Sequence, residues 1–215
     1  MTIKLYGHPF AAFVWKPLIA AYERGVPFEF CMIDADHPEN CARIAELSPT
    51  GQFPALTDGV REVTQSNPVI EYLDRIGGAA PMIPRDPDAA LTARMLAGVF
   101  DAYVAEPMQQ VVAEALRPED QRDPRRVNEA KARLDKAYVW LAGRIGNGWA
   151  GGGPFNIADC AAAPALFYAD WVHPIPAGPL KAYRARLLAR PSVARVVDEA
   201  RPYRPLFPLG APDKD

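Results

Sequence analysis

Residues 55–68 decide the fold, and they read Ala55-Leu56-Thr57-Asp58-Gly59-Val60-Arg61-Glu62-Val63-Thr64-Gln65-Ser66-Asn67-Pro68. Asp58-Gly59 is the strongest two-residue signal for a β-hairpin, and candidate strands flank it on both sides. Ser66 then stands at an N-cap position, and Pro68 falls in a first helical turn, where proline is tolerated. The stretch therefore predicts two antiparallel strands, 55–57 and 60–64, followed directly by a helix over 67–76.

Upstream of the hairpin, strand and helix patterns alternate. Strands are predicted over 3–6 and 28–33, the second because apolar and polar residues alternate at its start. A helix over 12–24 lies between them and ends at Gly25, and a short helix is predicted over 38–47. The order is β-α-β-α-β-β-α. A right-handed crossover makes the first two strands parallel neighbours, and the hairpin adds an antiparallel edge.

Downstream of the hairpin and its helix, the pattern is helical throughout. Residues 77–87 contain three prolines and two glycines, which predict a stiff linker. The predicted helices are 89–116, 125–145, 157–171, 179–189 and 192–200, followed by an extended proline-rich tail over 202–215. The sequence therefore predicts an α/β domain over 1–77, a linker over 78–87 and an all-α domain over 88–215.

Composition narrows the possible partners. The chain has 215 residues, and 24 Lys+Arg against 26 Asp+Glu give a net charge of −2, so neither nucleic acid nor an anionic membrane is the expected partner. We see no apolar leader and no apolar run near the roughly 18 residues of a membrane span, which favours a cytoplasmic protein. The three cysteines are widely spaced and predict neither a disulfide framework nor a metal site.

One predicted helix in the second half carries an unusually complete set of N-terminal capping residues. Asn156-Ile157-Ala158-Asp159 places an asparagine at the N-cap and an acid three residues later, and Phe155 before them can pack on Cys160. We interpret Asp159 as structural, since an acid at this position neutralises unpaired backbone N–H groups. Cys160 is then a small core residue.

Four stretches together resemble the glutathione transferase superfamily, in its phi-like and related bacterial branches. They are Leu5-Tyr6-Gly7-His8-Pro9, Leu47-Ser48-Pro49-Thr50-Gly51-Gln52-Phe53-Pro54-Ala55-Leu56, Gln65-Ser66-Asn67-Pro68-Val69-Ile70-Glu71-Tyr72-Leu73 and the helix start at Asn156. The resemblance covers essentially the whole chain. It implies a thioredoxin-like first domain, glutathione as co-substrate without a metal, a role in detoxification, and a homodimer built across the third and fourth helices.

The resemblance also implies a set of binding residues. Gln65 and Ser66 are similar to the family's clamp on the γ-glutamyl end of glutathione, and a helix N-terminus at Ser66 suits a carboxylate. Phe53-Pro54 is similar to its cis-proline step, which would turn the Phe53 backbone outward to pair with the cysteinyl unit. Gln52 and His37 would lie near the glycyl carboxylate, although a solvated loop histidine is the commoner interpretation of His37. His8 is interpreted as structural.

The reactive position departs from the family pattern. Where relatives carry a serine or cysteine, this chain has Ala11, followed by Ala12. Three interpretations stay open. The backbone N–H groups of Ala11, Ala12 and Phe13 at a helix start can stabilise the glutathione thiolate, the phenol of Tyr6 can do so, or no thiolate is activated because the protein only binds glutathione.

The resemblance places an acceptor pocket for a hydrophobic electrophile between the two domains. Its candidate lining residues are Phe10, Phe13, Trp15, Phe100, Tyr103 and Met108. Aromatic residues at helical spacing are also typical of a core. The expected function is a glutathione transferase in which the thiolate attacks a hydrophobic electrophile. The alternatives are a glutathione-binding or scaffold protein with little catalysis, and a glutathione-dependent isomerase, lyase or peroxidase.

Overall fold

Four strands of the amino-terminal half form one mixed sheet. The computed structural model describes residues 2–78, 80–213 and 215, and its strands are β1 (Lys4–Gly7), β2 (Glu29–Met32), β3 (Ala55–Asp58) and β4 (Arg61–Thr64). Their order is β2-β1-β3-β4. Strand β2 is parallel to β1, β3 is antiparallel to β1, and β3 and β4 form the hairpin, as predicted. Met1 of the predicted first domain, Ala79 of the linker and Lys214 of the helical domain lie outside the described residues.

Nine α-helices complete the described part of the chain. They are α1 (Ala12–Arg24), α2 (Pro38–Leu47), α3 (Ser66–Ile76), α4 (Pro87–Val99), α5 (Glu106–Leu116), α6 (Pro124–Ala142), α7 (Ile157–Val172), α8 (Pro179–Leu188) and α9 (Pro191–Ala200). The first three cover the sheet and the other six form the helical half. This is the predicted thioredoxin-like α/β region followed by an all-α region. None of the described helices is long and apolar enough to cross a membrane.

Helix α1 lies at the centre and joins the two halves. It packs on α3 of the sheet half and on α7 of the helical half, and Trp15 and Ile19 on it are fully buried. Pro17 falls inside α1, where a proline cannot donate a backbone hydrogen bond, and the helix continues through it. Position 7 at the end of β1 must be glycine because α1 approaches it closely. A Cβ there would lie 2.6 Å from Cγ2 of Val14 on α1. The start of α1 is therefore fixed tightly to the end of β1.

Helix α7 is buried along nearly its whole length and begins with the predicted capping box. The Ala158 N–H donates to Oδ1 of Asn156 over 2.9 Å, and the Asn156 N–H donates to Oδ2 of Asp159 over 2.9 Å. Asp159 also accepts from the Ala150 N–H and the Tyr183 hydroxyl. All its oxygens are thus engaged within the core, which confirms its structural interpretation.

Three segments differ from the predicted elements. The predicted helix 89–116 is interrupted by a π-helical segment (Phe100–Ala105) between α4 and α5. Its wider turn changes which side chains face the sheet half. The tail was predicted to be extended, yet Arg201–Leu206 forms a 3₁₀ helix that continues α9. The linker is slightly shorter than predicted, because Asp86 caps α4 by accepting from the Ala89 N–H over 2.8 Å.

Candidate active site

A cleft of about 600 Å³ opens between the sheet half and the helical half. This volume is in the range of small-molecule sites. The described residues that line it are Phe10, Ala11, Ala12, Phe13, Gly51, Gln52, Phe53, Pro54, Thr64, Gln65, Ser66, Met108, Gln109, Val112, Leu116, Tyr168, Leu206, Phe207 and Pro208. This set contains no Asp, Glu, Lys, Arg or His. Recognition of a charged ligand here must therefore come from backbone dipoles and neutral polar groups.

The start of α1 forms one end of the cleft. Ala11 is the N-cap residue and presents no side-chain cap. Its N–H donates to the His8 carbonyl over 3.0 Å, closing a turn. The N–H groups of Ala12 and Phe13 have no acceptor among the described residues, as is usual in a first helical turn. The sequence expectation for Ala11 needs correction, because its N–H is engaged and Ala12 and Phe13 carry the free donors.

The start of α3 forms a second polar end. Its N-cap is Gln65 rather than Ser66, which is the first helical residue. Gln65 has φ = 73°, a left-handed conformation that is uncommon for a residue other than glycine and that concentrates at functional sites. No described residue accepts from the N–H groups of Ser66 and Asn67. Two helix N-termini, each with free N–H groups, thus start at the same cleft, and their dipoles favour an anion there.

The loop before β3 forms the third wall. The Phe53–Pro54 peptide bond is cis, as predicted. The backbone N–H and carbonyl of Phe53 take no part in the hydrogen bonds of the described loop, so both are free to pair with an extended ligand. The Thr50 hydroxyl donates to Oε1 of Gln52, which also lines the cleft, over 3.2 Å. The amide N–H groups of Gln52 have no acceptor among the described residues and can donate to a ligand.

Part of the cleft wall is apolar. Phe10 and Phe13 line it from the start of α1, and Met108 lines it from α5 of the helical half. Further apolar residues line the cleft and were not predicted from the sequence, namely Val112, Leu116, Tyr168, Leu206, Phe207 and Pro208. Val112 and Leu116 follow Met108 at intervals of four, so helical periodicity was a usable signal for them. Residues 206–208 lie beyond α9, the last α-helix, and no local pattern shows that they fold back to the cleft.

Other predicted site residues lie elsewhere. Tyr6 is buried with Cys31 and Ile44 between the sheet and α2, because alternation along β1 points it away from the cleft. His37 occupies the N-cap position of α2 without a side-chain capping bond. Its Nδ1 lies 2.6 Å from Oδ1 of Asp34, and the ring does not line the cleft. Both expectations were wrong for the described cleft.

Three aromatic candidates on α1 and on the segment after α4 also lie outside the cleft lining. Tyr103 is 57% exposed on the π-helical segment, whose wider turn directs it to the surface. Trp15 and Phe100 are fully buried core residues. Trp15 and Phe100 are therefore core residues rather than pocket residues, and Tyr103 is neither.

A buried ion pair lies directly behind the two helix N-termini. The Lys16 ammonium of α1 is 2.6 and 2.7 Å from the two carboxylate oxygens of Asp101 in the π-helical segment. The Asn67 amide donates to the same carboxylate over 3.1 Å. Burial lowers the pKa of Lys16, and the Asp101 carboxylate opposes that shift. The pair joins α1, α3 and the helical half, and so fixes the relative position of the cleft walls.

Comparison with known proteins agrees with this arrangement. A sequence model of the glutathione S-transferase N-terminal domain matches residues 5–81, and one of the C-terminal domain matches residues 109–198. The uncharacterized GST-like protein YibF of Escherichia coli strain K12 is 28% identical over 171 residues, which are 79% of this chain and 83% of that protein.

Solved structures share the fold. A glutathione S-transferase from Methylobacillus flagellatus with glutathione bound superposes with a TM-score of 0.77 at 22% identity, covering 91% of this chain and 98% of that one. Poplar glutathione transferase F1 superposes with a TM-score of 0.80 at 17% identity, covering 94% and 99%. The two domain matches follow one another in the family's order and fall on its two-part fold, and on these grounds the chain belongs to the glutathione S-transferase superfamily.

Proposed function

We propose that the chain is a glutathione transferase that binds glutathione in the cleft and promotes attack of its thiolate on a hydrophobic electrophile. The observation that carries the proposal is the convergence of two free helix N-termini and the cis-proline loop on a cleft with an apolar far wall. The N–H groups of Ser66 and Asn67 suit the γ-glutamyl carboxylate. The Phe53 backbone suits the cysteinyl unit, and Gln52 suits the glycyl carboxylate.

Thiolate stabilisation in this proposal rests on the backbone alone. The sulfur would lie at the start of α1, facing the N–H groups of Ala12 and Phe13, and the helix dipole would favour its anionic form. Ala11 supplies no hydroxyl. A hydrogen bond to a charged group contributes about 1.5–3 kcal/mol, so this chain should activate the thiol less than a relative with serine does.

The test is calorimetric titration with glutathione together with turnover of a panel of apolar electrophiles. Phe53→Asp should abolish both binding and turnover, because a carboxylate would be placed against the ligand backbone, whereas Phe53→Leu keeps the wall apolar and should retain binding. Turnover that survives Phe53→Asp would contradict the assignment of the cleft.

A second candidate is a glutathione-binding or scaffold protein with little catalysis. It is favoured by one observation, the absence of a hydroxyl at Ala11 combined with the engagement of its N–H by His8. It predicts retention on immobilised glutathione without turnover of any electrophile. An isomerase, lyase or peroxidase that uses glutathione is the remaining alternative, and the panel separates these reactions from conjugation.

We further propose a homodimer in the cytoplasm with a role in detoxification. Helix α4 exposes Leu91 (67%) and Met95 (51%) one turn apart, and Val60 in the hairpin turn is fully exposed. Such apolar exposure is typical of an interaction surface. Light scattering should give twice the mass of one chain, and Leu91→Glu with Met95→Glu should give a monomer. Fractionation of cells that express the chain tests its location.

A further inference from the structure

The loop that leads into α1 is held by three carbonyl contacts that do not change with pH in the ordinary range. The His8 carbonyl accepts from the Ala11 N–H over 3.0 Å. The Pro9 carbonyl accepts from the Trp15 indole over 2.7 Å, and the Phe10 carbonyl accepts from the Tyr168 hydroxyl over 2.9 Å. Burial raises the pKa of Tyr168, and an indole does not titrate, so these two donors keep their protons.

A fourth contact in this loop depends on protonation. The Phe10 N–H donates to Nδ1 of His8 over 3.1 Å. Nδ1 accepts only when it carries no proton, so this bond assigns a neutral imidazole with its proton on Nε2. In a protonated imidazole both nitrogens are donors, and the Phe10 N–H would then face another N–H group. The loop geometry seen here therefore requires neutral His8.

The surroundings of the ring link it to both sides of the cleft. The His8 ring meets the ring of Tyr203 edge-on, with centroids 4.7 Å apart. Tyr203 belongs to the 3₁₀ helix that ends at Leu206, which lines the cleft. The charged group that faces His8 is the Asp34 carboxylate after β2, which is shared with His37. Burial lowers the pKa of His8 below its ordinary value of 6.5, and Asp34 acts in the opposite direction.

We propose that His8 is a positioning residue that holds the loop 8–11, and through it the free N–H groups at the start of α1, only while its imidazole is neutral. The inference rests on the proposed function for its effect on glutathione. The direction of the pH effect follows from the hydrogen bond between the Phe10 N–H and Nδ1 of His8. Above the pKa of His8 the loop is fixed, and as the pH falls through that pKa the bond to the Phe10 N–H is lost. Glutathione affinity should therefore decrease on acidification.

The experiment compares wild type, His8→Asn and His8→Ala by calorimetric titration with glutathione at about pH 7.5 and at a pH below the midpoint of the His8 titration, which nuclear magnetic resonance of the wild-type imidazole locates. An asparagine Oδ1 accepts from the N–H two residues on in an Asx-turn and does not titrate, so His8→Asn should bind as wild type does at the higher pH. On acidification the wild type should lose about 5-fold more affinity than His8→Asn, the order expected for one hydrogen bond. His8→Ala should be about 5-fold weaker than wild type already at the higher pH.

The matched control is His173→Asn. His173 lies at the end of α7, 2.7 Å from Oδ1 of Asp135, and does not line the cleft. This variant should keep the wild-type pH profile. A His8→Asn variant with the same acid loss as wild type, or a His8→Ala variant with wild-type affinity at the higher pH, would overturn the inference.

A readout without glutathione separates this inference from the proposed function. The Phe10 amide resonance should shift, and its protection factor against hydrogen exchange (the intrinsic rate at each pH divided by the observed rate) should fall, as His8 becomes protonated in wild type. In His8→Asn, neither the resonance nor the protection factor should change with this titration. A titrating Phe10 amide in a protein that binds no glutathione supports the role of His8 and refutes the proposed function. Glutathione binding together with a Phe10 amide that does not respond to pH supports the proposed function and refutes the role of His8.

Discussion

Restoring a hydroxyl at Ala11 tests the thiol position most sharply. Ala11 is the N-cap of α1, lines the cleft and carries a side chain with no polar group. A serine there can accept a first-turn N–H through its oxygen and still donate its proton to the sulfur. The hydrogen bond to the thiolate contributes about 1.5–3 kcal/mol. Since one pKa unit corresponds to about 1.4 kcal/mol, Ala11→Ser should lower the pKa of the bound thiol by about one to two units.

The assay is a pH titration of the ultraviolet thiolate absorbance of glutathione in complex with each variant. The wild-type complex should titrate only modestly below the free thiol, whose pKa is about 8.5, because only backbone donors face the sulfur. Ala113→Ser on the exposed face of α5 is the control and should leave the titration unchanged. If Ala11→Ser binds glutathione and its thiol titrates as in wild type, the sulfur does not lie at the start of α1 and the reasoning is refuted.

Three further predictions concern the walls of the cleft and the core. Ser66→Glu should weaken glutathione binding at least about tenfold in calorimetry, because a second carboxylate would occupy the anion site, whereas Ser66→Ala keeps the backbone donors and should lose about fivefold. Lys16→Met should lower the free energy of unfolding in urea by about 3–5 kcal/mol, because the Asp101 carboxylate loses its cation and keeps only the Asn67 amide as a partner, and adding Asp101→Asn should recover much of the loss. Burial raises the pKa of Asp159 from 3.8 to about 6, so the folded state holds this proton more tightly than the unfolded chain does. Stability should therefore fall by about 3 kcal/mol as the pH rises from about 4 to about 6, and Asp159→Asn should remove that slope.

Local signals explain why much of the fold was predictable. Helix α1 starts and ends where predicted, since the start follows Pro9 and Gly25 takes the left-handed conformation that ends a helix. The hairpin forms where the Asp-Gly signal stands, although Asp58 pairs with Arg61 and the two turn residues are Gly59 and Val60. Gly59 has φ = 62°, the left-handed conformation that glycine adopts without strain at the first position of such a turn. The capping box at Asn156 was likewise readable, because its partners are three residues apart.

The parts of the site that escaped prediction depend on contacts between distant residues. The π-helical segment directs Tyr103 outward, and a single-sequence pattern cannot distinguish it from a continuous helix because it adds less than one residue per turn. The approach of residues 206–208 to the cleft depends on Phe207 packing on Trp171, more than thirty positions earlier in the chain. The hydrogen bond from the Ala11 N–H to the His8 carbonyl depends on a turn, and the sequence does not specify the backbone angles of that turn.

The most direct test of the account is a crystal structure of the protein with glutathione. We predict that glutathione lies in the cleft, with its γ-glutamyl carboxylate on the N–H groups of Ser66 and Asn67. The sulfur should lie within about 3.5 Å of the Ala12 or Phe13 N–H, the outer limit for such a bond. Glutathione bound elsewhere, or in the cleft with its sulfur distant from both donors, would contradict the central claim.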